Sequence, residues 1–371
     1  MSLAYLLLLL APVSLFVTLA AHAAVFVALR RRRRGSEPTP PISILKPVKG
    51  AEPGLYENLA SLAAQEYPSF EICVGAEDPR DPALAVARRV QEDFPGTRIQ
   101  IRSGARRLGL NPKVNLLAAL CDHARNDLVL VSDSNVRVGP EYLRETAAEL
   151  ADPQVGLVTN VLVGTGEGLG ALLENLHLNS FVASAVSFAR VAGGRACVIG
   201  KSMLFRQSDL ARLGGFHSVR DVLAEDYVIG RTFELAGYRV ALSPCLVEAR
   251  SDGWTLERFV NRHLRWAQMR RRLAPAAYCG ELLLNPIPLA LLAGPRVAAV
   301  AVVLKCLGDA LVYRRLRGEW PRLAELLAIP LKDLLVAAIW LTGAFRRRVN
   351  WRGNSMRILA GSRLAPAEAA A

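Results

Sequence analysis

Neither a Cys-x-x-Cys pair nor a cluster of histidines occurs in this 371-residue chain. Its six cysteines (Cys73, Cys121, Cys197, Cys245, Cys279 and Cys306) are widely scattered, and most fall in apolar stretches. That spacing argues against a Cys/His zinc site and against a disulfide framework, and it suits buried free thiols on a reducing face. Positive charge is missing ahead of the first apolar stretch, where a secretory signal peptide would carry it. Away from three arginine runs, the chain also has almost no charge excess. Without Arg30 to Arg34, Arg270 to Arg272 and Arg346 to Arg348, the net charge of +13 falls to +2. A nucleic-acid surface would be expected to cluster basic residues on the folded body. Here each run adjoins an apolar or amphipathic segment, which suits membrane topology or anionic headgroups and argues against nucleic acid as a partner.

Apolar sequence is plentiful, at 52% of residues. Residues 3–29 carry no charge except a possible one on His22, and five arginines follow. Ala21-His-Ala23 resembles a cleavage site, but the charge order favours an uncleaved transmembrane anchor with its arginines on the cytosolic side. Glu37-Pro-Thr-Pro-Pro41 then reads as an extended linker. Apolar segments return at 282–292, at 293–312 with Lys305 and Asp309, and at 326–345 with Lys332 and Asp333. The expected organisation is an anchor and basic flank over 1–34, an α/β domain over 41–272, membrane-associated or transmembrane helices over 273–345, and a basic tail over 346–371. The expected location is a membrane, crossed more than once; basic residues on both sides of the last segment leave the number of crossings open.

Between these segments the pattern alternates. Strands are expected at 42–45, 70–75, 98–101 and 128–132, and helices at 55–64, 83–93, 113–123 and 141–150. Continuous apolar strands alternating with helices predict a mostly parallel sheet covered on both faces. Ligands of such sheets bind beyond the carboxyl ends of the strands. Asp78 and Asp133 stand just past two of those ends.

Asp133 opens Asp-Ser-Asn, a loose Asp-x-Asp pattern that can hold Mg²⁺ or Mn²⁺ against a diphosphate; the same tripeptide is also good turn chemistry. Asp78 and Asp81, in Glu77-Asp-Pro-Arg-Asp-Pro82, suit a nucleoside's N–H or hydroxyl groups, or a turn. Lys113 follows Gly109-Leu-Asn-Pro112 at a helix start, where it can meet phosphate or lie solvated. Asp226, in Glu225-Asp-Tyr227, can act as a general base or can simply offset a helix dipole. Arg262 and Arg265 share a helix face next to Trp266, an arrangement able to clamp a diphosphate or to rest on anionic lipid. A long apolar helix over 168–191 reads as a core helix or as one that opens a site toward lipid, with His177 as a packed polar side chain.

Taken together, Ile42-Ser-Ile-Leu-Lys-Pro-Val-Lys-Gly50, Gly109-Leu-Asn-Pro-Lys113, Ser132-Asp-Ser-Asn-Val-Arg-Val138, Cys197-Val-Ile-Gly200, Ala224-Glu-Asp-Tyr227, Arg262-His-Leu-Arg-Trp266 and Trp351-Arg-Gly353 resemble the ceramide glucosyltransferases, family 21 of the inverting glycosyltransferases. The resemblance runs over nearly the whole chain. It implies a GT-A-type catalytic domain on the cytosolic face with membrane helices at both ends. It further implies a UDP-sugar donor, ceramide as acceptor and a divalent cation, Mg²⁺ or Mn²⁺, at Asp133. The three acids of the pattern match Asp78 (with Asp81 as rival), Asp133 and Asp226, the last as base. Arg262, Arg265 and Trp266 match the Arg-x-x-Arg-Trp motif, and with Lys113 complete the donor-binding set. Lys201 departs from the animal pattern and raises an acidic sugar or another lipid as alternatives. The Ala- and Arg-rich composition suggests a bacterial inner membrane, where hopanoid-pathway glycosyltransferases form a sister group. A processive polysaccharide synthase would normally need more C-terminal spans.

Overall fold

A computed structural model describes residues 3–30, 38–346, 348–351 and 354–366. Four arginines of the first basic run (31–34), Arg347 and the Arg352-Gly353 pair lie outside the described residues.

An eight-stranded sheet runs in the order β3-β2-β1-β4-β7-β6-β8-β5. Its strands are β1 (Ile42–Pro47), β2 (Phe70–Ala76), β3 (Arg98–Ser103), β4 (Leu128–Ser132), β5 (Val136–Arg137), β6 (Val155–Thr165), β7 (Ser202–Arg206) and β8 (Arg239–Arg250). The first half is parallel as expected, with Ile42 opposite Phe70 and Leu128, and Glu71 opposite Arg98. Every residue of β1 and β4 is buried, which is why those strands read as mostly apolar rather than alternating, broken in β1 by Ser43 and Lys46. Beyond β4, the pairs β4–β7, β6–β7 and β5–β8 are antiparallel. The helices Leu55–Ala63, Ala83–Asp93 and Pro112–Cys121 fall where the pattern put them. The segment at 141–150 is shorter: a helix over Tyr142–Ala147 that tightens into a 3₁₀ turn at Ala148–Ala151.

The chain divides into two compact units. One holds residues 31–162 and 195–250; the other holds 1–30, 163–194 and 251–371. Segments 163–194 and 251–272, expected from sequence to belong to the α/β domain, thus fold with the terminal helices.

Among the described residues of that second unit, two helices are long and apolar enough to cross a membrane, Leu6–Ala28 and Leu323–Phe345. The number rises to three if Pro275–Leu284 and Pro286–Ala293, bent by 65°, count as one broken span. The apolar stretch at 168–191 is not one continuous helix. Leu169–His177 and Ala183–Gly193 are separated by a π-helical turn, Leu178–Val182. Its side chains explain the break: Asn179 bonds both the N–H and the carbonyl of Gly164, at 2.7 and 2.9 Å, and the Ser180 hydroxyl donates to Leu176 O at 2.6 Å. The Ser180 bond takes a carbonyl four residues back and so competes with the regular helical ladder, while Asn179 anchors the turn to the strand through its side chain alone.

Charged residues inside the apolar helices are buried and mutually paired. His22 Nε2 lies 2.7 Å from Asp309, whose carboxylate takes Lys305 Nζ at 2.5 and 2.6 Å. Lys305 also lies 3.6 Å from Asp333, which pairs with Lys332 at 2.5 Å. Two ammoniums thus balance two carboxylates across the Pro295–Arg317 and Leu323–Phe345 helices, with His22 joining from Leu3–Ala28. A buried charge left without its partner is costly, by about 3–5 kcal/mol. Lys305→Met is therefore expected to lower the thermal unfolding temperature in detergent well below that of the wild type. The Lys305→Met/Asp309→Leu double variant should recover part of the loss. An unchanged midpoint for the single variant would contradict this clasp.

Candidate active site

The site grows from the loops at the carboxyl ends of β1 and β4 and from two helix starts that meet them, all within the unit of residues 31–162 and 195–250. The Pro112–Cys121 helix begins on Asn111, whose side-chain oxygen accepts from the N–H groups of Lys113 and Val114 at 2.9 and 3.2 Å. Its amide nitrogen donates to Val222 O at 2.6 Å and to Glu225 at 3.3 Å. One capping residue therefore ties the first helix start to the segment that opens the Glu225–Leu235 helix. Gly109 permits the approach, because a Cβ there would meet Arg220 O at 2.6 Å.

Lys113 sits at the centre. Its ammonium is 2.8 Å from Asp133 and 3.0 Å from Glu225, and it donates to Gly200 O at 3.3 Å. Burial opposes its charge, but the carboxylates of Asp133, Glu225 and Asp226 prevail and hold its pKa above the usual lysine value. Asp226 accepts the Gly200 N–H at 2.6 Å and its neighbour Tyr227 N–H at 2.8 Å. A Cβ at position 200 would fall 2.9 Å from Asp226 Oδ2 and 3.0 Å from Lys113 Nζ, so only glycine fits there without displacing them. Burial and the adjacent Glu225 push the Asp226 carboxyl up to about 6, against the pull of Lys113. A carboxylate with that pKa is well matched to taking a proton near neutral pH.

Two further lysines complete the cluster. Lys201 lies 3.8 Å from Asp133 and donates to Asn135 Oδ1 at 2.5 Å. Lys46, fully buried on β1, donates to Ser132 Oγ at 3.1 Å and Val136 O at 3.3 Å. Burial lowers its pKa to about 7, with Asp133 opposing that shift. Among the described residues no group of three or more His, Cys, Asp or Glu side chains is placed to hold a metal ion. Asp133 remains partly exposed, at 29%. A cation there would take its other ligands from a diphosphate and water, as Mg²⁺ commonly does, and would share the carboxylate with Lys113 and Lys201.

The sequence-derived residues are thus gathered unevenly. Asp133, Lys113 and Asp226 converge on one cluster. Asp78 stands past β2, exposed, with local contacts: it accepts from Arg80 N–H at 2.9 Å and pairs with the Arg80 guanidinium at 3.6 Å. Its rival Asp81 is a loop staple that accepts the N–H groups of Gly50 and Ala83 at 2.9 Å. Arg262, Arg265 and Trp266 lie together on the Leu256–Leu273 helix of the other unit. There the Arg262 guanidinium stands 4.3 Å from the Trp266 ring centre and 5.1 Å from that of Trp254, and 3.3 Å from Glu174. Sequence reasoning undervalued two residues. Glu225 reads as a dipole-offsetting acid but is the second carboxylate on Lys113, and Lys46 reads only as part of a motif. The Glu-Asp doublet was the available signal for the first; no local signal marks the second.

Comparison with known proteins agrees with this architecture. Residues 6–364 match the model of Glycosyl transferase family 21. Ceramide glucosyltransferase 1 of Caenorhabditis elegans is 28% identical over 257 residues, covering 68% of this chain and 55% of that protein. Ceramide glucosyltransferase 3 of the same organism is 23% identical over 343 residues, covering 88% and 74%. The chain thus spans about half to three quarters of the length of these relatives. In overall fold it is similar to a mannosyltransferase from Pyrobaculum calidifontis solved with GDP-Man and Mn²⁺, with a TM-score of 0.50 at 18% identity, covering 90% of this chain and 99% of that one. The fold is of the GT-A type. With the family model matched along almost its full length, this chain belongs to glycosyl transferase family 21.

Proposed function

We propose that the protein transfers a hexose, glucose from UDP-glucose, to the primary hydroxyl of ceramide with inversion at the anomeric carbon. The observation that carries this reading is Asp226, a carboxyl poised near pH 6 and fixed by two backbone N–H groups beside the Lys113–Asp133 pair. Asp226 removes the hydroxyl proton as the acceptor oxygen bonds to the anomeric carbon. The bond from that carbon to the UDP oxygen breaks, and the diphosphate leaves with the electron pair. Lys113 keeps Asp133 oriented toward the donor and adds positive charge where negative charge grows. Asp133 would hold the divalent cation, which supplies electrostatic stabilisation of the departing diphosphate. Asp78 is retained as the residue for the nucleoside. Arg262, Arg265 and Trp266 are retained as donor-binding residues on the strength of their motif.

The charge of Lys201 is directed at Asp133 and Asn135, so in this reading it bears on the donor rather than on the acceptor. That supports an acidic UDP-sugar as the second reading. Comparing turnover of UDP-glucose and UDP-glucuronate in the same membranes separates the two.

Asp226→Asn is expected to cut turnover of UDP-glucose and ceramide by about 10²–10⁴-fold; wild-type turnover in that variant would remove the base from the mechanism. The wild-type rate should fall as pH drops through about 6, because the base is active only when deprotonated and its pKa is raised to that value. In Glu225→Gln the neighbouring negative charge that raises Asp226 is gone, so the acidic limb should move to lower pH. A limb that stays in place or moves upward would contradict that assignment.

A further inference from the structure

A cavity of about 410 Å³ lies where the end of the Leu256–Leu273 helix meets the end of the membrane-length Leu323–Phe345 helix, within one compact unit. Arg271 and Arg272 come to its wall from the first helix and Trp340 and Ala344 from the second. Tyr278, on the short helix Pro275–Gly280, and Ala360, on the 3₁₀ turn Ala360–Ser362, also line it. Trp340 stands a little over one turn from the end of its helix. That is the level at which tryptophan and tyrosine collect in membrane helices, between hydrocarbon and water. The same helix exposes Leu341 and Phe345 there, at 56% and 78%.

The aromatic part of the wall is fixed in place. Tyr278 and Trp340 stack with ring centres 5.0 Å apart and 16° between their planes. Trp340 Nε1 donates to Tyr278 O at 3.0 Å, and the Tyr278 hydroxyl donates to Trp340 O. Each ring thus satisfies its polar atom on the other's backbone and offers the cavity apolar ring surface. The charged part of the wall has one sign. No acid is among the described residues that line it. Arg270, one residue earlier, is matched by Glu281 at 2.5 and 3.1 Å. Arg271 and Arg272 are both partly exposed, so a ligand can reach them. Guanidiniums bind phosphate oxygens through paired, charge-assisted hydrogen bonds. Inorganic phosphate would leave the rings and alanines uncovered, whereas a phosphate that carries hydrocarbon meets both halves of the wall.

We infer that this cavity holds the headgroup phosphate of an anionic phospholipid, with its acyl chains running along Leu341 and Phe345 into the bilayer. The volume falls within the roughly 300–1,000 Å³ of small-molecule sites and takes a glycerophosphate headgroup. A zwitterionic headgroup would bring its own ammonium toward two guanidiniums, so the anionic lipid is preferred. This lipid is bound and not converted. Ceramide carries no charge for the arginines to meet, so the site differs in kind from that of the proposed acceptor and does not rest on the proposed function. Nor is it the proposed diphosphate clamp. Arg271 stands nine residues beyond Arg262 on the same helix, about 14 Å along its axis.

The test places the full-length protein in nanodiscs of equal parts phosphatidylglycerol and phosphatidylcholine and releases it for native mass spectrometry, which counts the lipids retained. Phosphatidylglycerol is expected to stay bound in preference to phosphatidylcholine. Arg271→Gln and Arg272→Gln should each lower its retention about five-fold, the effect of one basic residue at an anionic membrane surface. Ala344→Phe fills the cavity with both arginines intact and should lower retention as well. Arg346→Gln removes an exposed charge that does not line the cavity and should leave retention unchanged. An equal loss in Arg346→Gln would reduce the effect to diffuse attraction and overturn the site. Equal retention of the two lipids would also overturn it. Displacement of phosphatidylglycerol by millimolar inorganic phosphate would assign the cavity to a free anion instead. A second measurement needs no variant. In the unsubstituted protein, phosphatidylglycerol with a diazirine near its glycerol should label peptides containing Tyr278 or Trp340, and label confined to other peptides would reject the inference.

Discussion

The unit of residues 31–162 and 195–250 is organised around the buried ammonium of Lys113. Lys113 bridges Asp133, which ends a parallel strand, to Glu225, which starts a helix 112 positions later in the chain, and it holds Asp226 within its field. Three negative carboxylates packed together without it would repel one another and pay the full penalty of burial. With it, the carboxylates can be packed together while the Asp226 carboxyl stays at about 6. The backbone serves the same end. Asn111 caps one helix while bonding to the start of the other, and the bare Cα of Gly200 lets a peptide N–H reach Asp226. Loss of the lysine would thus disturb charge, helix position and base strength together.

The unit of terminal helices solves a different electrostatic problem. Its long helices present leucines outward, at Leu307, Leu327, Leu331 and Leu341 among others, while Lys305, Asp309, Lys332 and Asp333 are buried between them. Lys305, Asp309, Lys332 and Asp333 are each at most 3% exposed, and they sum to zero charge. In a low-dielectric surrounding such groups persist only as satisfied pairs. The residues that made these segments look imperfect as spans are the ones that hold them to one another.

Much of the fold was legible. The apolar runs of β1 and β4 and the helix at Ala83–Asp93 follow from local periodicity alone, because burial on both faces of a parallel sheet leaves a continuous signature. The antiparallel half of the sheet was not, since the partners of β7 and β8 are chosen by long-range register. The π-helical turn at Leu178–Val182 escaped for a related reason: the bonds that anchor it run from the Asn179 side chain to Gly164, on a strand of another part of the pattern. At the site, Asp133 and Asp226 stood out by their place after a strand and at a helix start. Asp78 and Asp81 could not be ranked from spacing. It took the loop geometry to commit Asp81 to the Gly50 and Ala83 amides.

Sequence by itself determined the class of the protein: alternating strands and helices, apolar segments toward both ends, arginine runs beside them, and a spaced set of acids and arginines matching one family. Those properties are local or additive, so a linear string carries them. Tertiary structure alone decided which carboxylates share Lys113, that Lys46 is buried beneath them, and that residues 163–194 and 251–272 pack with the terminal helices. Each of these depends on distances between residues far apart in the chain, and on burial, which sets how strongly charges and hydrogen bonds count.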